Sequence, residues 1–242
     1  MGKKILLVDG SARKKNTFGI LLQMEQILKA KGFETEIINL FDYNLLDCIG
    51  CEVCVSHKTC CQKDDQQAVI QKVLASDGVV FSSPVYRNSV TSRFKTFADR
   101  TNVWVHKTET AGLPMMFVTT TASTGIKETM QFFNSFANGL GARKGDFISR
   151  AGKKVGEPVK EKEMSKFIKL LNTDKKYYRP GMDEIIMFIV GKILAKKSSG
   201  DDNKFWNEKQ WIDKSYYYPC RINIFKIGFG KFLFKVISKA MA

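Results

Sequence analysis

No apolar run in this chain approaches the roughly 20 residues that a membrane-spanning helix requires, so a helical membrane protein is excluded and a soluble one is expected. No cleavable signal pattern precedes the first apolar segment, and Leu6 stands where N-myristoylation requires Ser or Thr. The cytoplasm is therefore the expected address. Histidine is nearly absent. His57 and His106 stand alone, and each reads as a surface or loop residue rather than a ligand. Acidic residues run out towards the end of the chain: residues 1–150 carry a net charge of +5 and residues 151–242 one of +10. Beyond Asp213 there are only cations, namely Lys214, Arg221, Lys226, Lys231, Lys235 and Lys239. Such a bias fits an anionic partner or a solvated lysine face. No nucleic-acid module pattern accompanies it, so nucleic acid is not an expected partner.

What is present is ample core material, 44% hydrophobic over 242 residues, a length that suits a domain of about 150 residues with an extension. Strands are predicted at Lys4–Asp9, Glu34–Leu40, Gly78–Ser83, Pro114–Thr119 and Arg143–Ser149. Between them, helices are predicted at Phe18–Lys31, Asp64–Ala75, Val90–Asp99 and Lys127–Asn138, where apolar residues recur at helical spacing. Strands that alternate with helices give a parallel sheet covered on both faces. The boundary is predicted near Arg150: a domain over 1–150, then a helical, basic extension over 151–242. In that extension Lys160–Leu171, Met182–Lys197 and Asn203–Trp211 read as helices. The last segment, Ile222–Met241, sets phenylalanines among lysines and reads as amphipathic. Packing within the chain or on a second subunit is the expected use of that face, with anionic lipid as the lesser alternative.

Three loops follow strands one, three and four, where a doubly wound sheet binds ligands. They are Gly10–Thr17, Pro84–Ser89 and Thr119–Gly125, all rich in small hydroxyl or amide residues. The first, a strand ending in Gly10-Ser11 before a helix start, aims backbone N–H groups and the positive end of a helix dipole at one point, as an anion cradle does. An ordinary capped turn is the plainer reading of that segment alone. Without a second glycine fingerprint for a dinucleotide, the three loops favour a mononucleotide. A fourth loop gathers Cys48, Cys51, Cys54 and Cys60, with Cys61 adjacent. Thiols at such intervals suit an iron–sulfur cluster; zinc and an empty, reduced loop are the other readings. Trp206 and Trp211 read as packing the tail onto the sheet or covering a cofactor from a second subunit, and Cys220 as a small buried hydrophobe.

The ensemble Gly10-Ser11-x-Arg13-x-x-Asn16-Thr17, Cys48-Ile49-Gly50-Cys51-x-x-Cys54 with Cys60 and Asp64-Asp65, and Ser83-Pro84-Val85-Tyr86 followed by Lys95 and Asp99-Arg100 resembles the NADPH-dependent FMN reductases of flavodoxin fold, and among them the iron–sulfur flavoproteins. The resemblance implies a five-stranded parallel sheet of order 2-1-3-4-5. It implies FMN, with Ser11, Arg13, Asn16, Thr17 and Phe18 at its phosphate end, and Pro84, Val85, Tyr86, Arg87 and Asn88 along the ribityl chain and ring. Thr120, Thr121, Ser123 and Gly125 would close the other side. NAD(P)H is the implied co-substrate, a small molecule or redox protein the acceptor, and a homodimer the assembly. Cys48, Cys51, Cys54 and Cys60 are the implied holders of a 4Fe–4S cluster, with Cys61 a rival for the fourth position. A flavodoxin-type electron carrier that does not turn over nicotinamide is the alternative.

Overall fold

In the computed structural model, which describes residues 2–57, 60–198 and 200–240, five parallel strands lie in the order β2-β1-β3-β4-β5. They are β1 (Lys4–Asp9), β2 (Glu34–Asn39), β3 (Gly78–Pro84), β4 (Pro114–Thr121) and β5 (Arg143–Ala151). The helices are α1 (Asn16–Ala30), α2 (Val53–Ser56), α3 (Gln66–Leu74), α4 (Ser92–Asp99), α5 (Asn102–His106), α6 (Ile126–Gly139), α7 (Ser165–Asn172), α8 (Met182–Lys197), α9 (Asp201–Glu208) and α10 (Ile224–Ala240). Met241, the end of the segment predicted to be amphipathic, lies outside the described residues.

Successive strand residues face opposite sides of the sheet, and both sides are apolar. Leu6, Val8, Val79, Phe81, Met115 and Phe117 meet α3 to α6 through Val69, Val73, Phe94, Phe97, Trp104 and Phe133. On this side aromatic rings interlock, with Phe117 stacked on Phe133 at 4.8 Å and Phe94 edge-on to Phe81 at 5.8 Å. Ile5, Leu7, Val80, Met116, Val118 and Ile148 meet α1 on the other face through Ile20, Leu21, Met24 and Leu28. That layer is completed by Met164, Phe167 and Leu171, at and just before α7, from beyond residue 150. The predicted helix over Lys160–Leu171 is divided: a 3-10 turn spans Glu161–Met164 before α7 begins.

A third apolar cluster joins Ile185, Phe188, Ile189 and Ile193 of α8 to Phe205, Trp206, Trp211, Tyr216 and Tyr217. It is tied to the sheet-bearing part by polar contacts. Trp206 Nε1 donates to His106 O at 2.8 Å, and buried Asp202 meets His106 Nδ1 at 2.9 Å and Lys107 Nζ at 3.2 Å. Burial pushes the Asp202 carboxyl up, but His106 and Lys107 outweigh it and hold it below its usual range. Trp206 thus does pack the tail onto the neighbouring helix α5. Cys220 packs half-buried against the same cluster, its thiol pushed up to about 11 by burial.

Candidate functional site

The carboxyl ends of β1, β3 and β4 converge because their registers align: Asp9 pairs with Ser82, Ser83 with Thr119, and Pro84 with Thr120. The chain order reverses between β1 and β3, the switch point outside which doubly wound sheets place their ligand crevice. Gly10 lies at its floor. Its N–H donates to Ser82 O at 2.8 Å and its carbonyl accepts from Thr91 Oγ1 at 2.7 Å. A Cβ at Gly10 would stand 2.7 Å from Ser82 O, a backbone atom that cannot swing aside.

Beneath the loop lies Asp9, fully buried. Its carboxylate accepts from Ser11 N at 3.0 Å and from Asn39 Nδ2 at 2.8 Å, and the same amide donates to Ser11 O at 2.9 Å. Burial pushes the Asp9 carboxyl up to about 6, with the Ser11 N–H and the Ser82 hydroxyl pulling the other way. Neither Asp9 nor Asn39 was marked by the sequence. The only local sign was a polar residue closing each apolar strand.

Helix α1 begins at Asn16, two residues ahead of its predicted start, so Asn16, Thr17 and Phe18 form its first turn. No side chain caps that turn, which leaves its N–H groups and the positive dipole end for an anion. Arg13, Lys14, Lys15 and Asn16 surround it, exposed. Ser11, by contrast, turns its hydroxyl to Arg13 O at 2.7 Å, and Thr17 Oγ1 meets Thr120 Oγ1 at 2.7 Å in a buried contact. Phe18 is half-buried, with Lys14 Nζ 5.9 Å from its ring centre.

Tyr86 and Ser89 exchange backbone hydrogen bonds of 2.8 and 3.0 Å around Arg87 and Asn88, both left-handed at φ 49° and 60°. That two-residue turn pushes Arg87 and Asn88 out at the crevice rim, and Tyr86 stands 44% exposed beside them. Strand β4 runs on to Thr121, so Thr120 and Thr121 are strand residues rather than loop residues as predicted. β-branched threonine suits an extended chain, and Thr120 O holds Val85 N at 2.8 Å. Gly125, at φ 89°, lies against the turn: a Cβ there would stand 2.5 Å from Val85 Cγ1 and 2.9 Å from Asn88 Oδ1. It precedes α6, a second helix whose first turn no side chain caps. Thr121 Oγ1 accepts from Ser123 N and donates to Thr124 O, and Ser123 itself is exposed. The first and third loops are thus joined at Thr17–Thr120, and the second and third at Val85–Thr120 and Gly125–Val85.

The cysteine loop lies along α4. Arg93 Nη1 donates to Leu45 O at 2.9 Å and Thr96 Oγ1 to Asp47 Oδ1 at 2.7 Å. Cys48, Cys51 and Cys61 are exposed, and Cys54 and Cys60 half-buried. Cys51 Sγ is 3.5 Å from Cys61 Sγ, and Arg100 Nη2 is 3.3 Å from Cys60 Sγ. Burial first, then the neighbouring Cys60, Cys48 and Cys51, push the Cys54 thiol up, whereas the Val53 N–H draws Cys51 down. Among the described residues no three His, Cys, Asp or Glu side chains stand in metal-ligating geometry. The donor set, five soft sulfurs within one loop, is nevertheless right in kind for iron and sulfide and includes the four thiols that a 4Fe–4S cluster takes. Helix α4 connects the two regions: its N-cap Thr91 bonds Gly10 and its C-cap Arg100 touches Cys60.

The sequence model of the NADPH-dependent FMN reductases matches residues 3–145. The chain belongs to that family. As a member of it, the chain is 37% identical over 100 residues to an iron-sulfur flavoprotein of Archaeoglobus fulgidus, an alignment that covers 41% of this chain and 49% of the relative. Over such alignments the chain spans about half the length of the curated relatives it matches. A second iron-sulfur flavoprotein of the same organism aligns over 220 residues at 27% identity, covering 86% of this chain and 100% of the relative. Among solved structures, RosB with bound 8-demethyl-8-formylriboflavin-5'-phosphate is similar in fold, with a TM-score of 0.55 at 12% identity over 92% of both chains. No helix among the described residues is long and apolar enough to cross a membrane.

Proposed function

We propose that the protein is an FMN-dependent oxidoreductase that takes hydride from NAD(P)H and passes electrons to a small-molecule or protein acceptor. The observation that carries this reading is the pair of uncapped helix starts, α1 and α6, opening on one crevice floored by Gly10, where a phosphate finds backbone donors. When bound, FMN supplies a ring that accepts two electrons as hydride and releases them one or two at a time. The first turn of α1 holds the phosphate, with Arg13 and Asn16 free to add side-chain donors. The turn at Arg87 and Asn88, braced by Gly125, would offer a fixed wall to the flavin ring, with exposed Tyr86 beside it. The exposed Arg87 guanidinium would supply positive charge to offset the negative charge that reduction adds to the flavin.

In the same reading Cys48, Cys51, Cys54 and Cys60 hold a 4Fe–4S cluster, which supplies a one-electron exit from the two-electron flavin. Arg100 steadies Cys60 from behind by its charge-assisted contact. The reading is tested by following NADPH and NADH oxidation with an added acceptor such as ferricyanide. Flavin bands that bleach with nicotinamide and return with acceptor support it. A flavin-loaded protein that consumes no nicotinamide makes it a carrier instead.

A further inference from the structure

Helix α10 has two apolar faces, and only one is covered among the described residues. Leu233, Phe234 and Ile237 pack onto the cluster formed with α8, and Gly230 allows so close an approach that a Cβ would stand 3.0 Å from Ile189 Cδ1. Lys226 Nζ donates to Pro180 O at 2.7 Å, and its N–H is capped by Asn223 Oδ1 at 2.8 Å. The helix is therefore held to the protein along one side. On the other side Phe225 is 83% exposed, Phe229 42%, Phe232 62% and Val236 47%. Their spacings of four, three and four residues place them in one stripe, about 16 Å long at the usual helical rise. Ile224, 78% exposed, widens its start.

The surroundings are strongly basic. Lys226, Lys231, Lys235 and Lys239 lie on the same helix and no carboxylate side chain follows Asp213. Between α8 and α10 a cavity of about 420 Å³ is rimmed by Lys192, Lys196, Lys214, Lys226, Lys231 and Lys235 with Asp213 as the single acid. We propose that α10 docks on an anionic lipid bilayer, its Phe225, Phe229, Phe232 and Val236 stripe entering the headgroup–acyl boundary while the flanking lysines meet lipid phosphates. The helix lies along the surface rather than through it, being 17 residues long and interrupted by lysines. A second copy of the chain is a poorer occupant, because an antiparallel two-fold pairing of this face sets the flank of Lys231, Lys235 and Lys239 against itself. Single-stranded nucleic acid is also a poorer fit, since the phenylalanines form a convex ridge instead of lining a groove that tracks a backbone.

The test is co-sedimentation of the full chain with vesicles of phosphatidylcholine alone and of phosphatidylcholine mixed with phosphatidylserine, at low and raised salt. The expected result is binding to the mixed vesicles only, weakened by salt. Phe225→Ser with Phe232→Ser should lower partitioning about 10-fold or more, and Lys231→Glu with Lys235→Glu about fivefold or more. Far-ultraviolet circular dichroism of each variant, unchanged from the parent, shows that folding is intact. Salt dependence of the unsubstituted chain provides a second readout should a variant not fold. Absence of binding to either vesicle overturns the proposal, as does equal binding to both. So does retention by single-stranded RNA in place of vesicles, or self-association in sedimentation equilibrium that the phenylalanine substitutions abolish.

Discussion

Arg100 and Asp64 form an ion pair in which both side chains are only 1% exposed, and the same guanidinium reaches Cys60 Sγ at 3.3 Å. Asp64 also accepts the backbone N–H of Leu46 at 2.7 Å, so one carboxylate closes the cysteine loop onto the C-cap of α4. Burial works to raise its pKa, but Arg100 and the Leu46 and Gln66 N–H groups outweigh it and hold the carboxyl below its usual range.

Removing one partner leaves a buried charge without its counter-ion. Asp64→Asn should cost about 3–5 kcal/mol in urea unfolding, and the double replacement Asp64→Leu with Arg100→Met should cost clearly less. Equal stability of the single variant and the parent would contradict the pair's structural role.

Asp9 gives a pH signature. Its folded-state value of about 6 lies above the ordinary 3.8, so the folded chain holds this proton more tightly than the unfolded chain does. The stability gained from that proton is complete below about pH 4 and lost as pH rises through about 6. Relative to Asp9→Asn, the parent should therefore gain about 1 kcal/mol between pH 7 and pH 5. Urea midpoints of both proteins at the two pH values measure this, and a flat difference contradicts it.

Gly125→Ala tests the seam between two loops. The left-handed backbone at φ 89° and the 2.5 Å approach to Val85 Cγ1 both resist a Cβ, and about 1–2 kcal/mol of stability should go, with weaker FMN binding. Gly156→Ala is the control, because nothing lies within 4 Å of its Cβ position. A control that loses as much as Gly125→Ala would remove the explanation.

Cys60 and Cys61 are adjacent but differently placed, the first on Arg100 and the second 3.5 Å from Cys51. In anaerobically purified protein, Cys60→Ala is expected to lose iron and acid-labile sulfide, and Cys61→Ala to retain both. The reverse outcome would assign the fourth ligand to Cys61.

The alternation of strands and helices was readable because the central strands β1, β3 and β4 carry continuous apolar runs, as in Gly78–Phe81. The three loops at the ends of β1, β3 and β4 were readable as clusters of small polar residues. The short helices α2 and α5 were not, since four or five residues are too few to show a hydrophobic period. Nor was the hydrogen bond of Asp9 with Asn39, 30 residues apart, or that of Arg100 with Asp64, 36 apart. Such partners meet only once the parallel sheet has set its register. Thr120 was assigned to a loop by its neighbours, yet its hydroxyl serves Thr17 from the end of a strand.

The most direct measurement is fluorescence titration of flavin-free protein with FMN and with riboflavin, which differ only in the phosphate. A cradle formed by the Gly10 loop and the first turn of α1 requires FMN to bind at least about 10-fold more tightly, because charge-assisted bonds to the phosphate are lost with riboflavin. Equal affinity for the two, or uptake of neither, would contradict it.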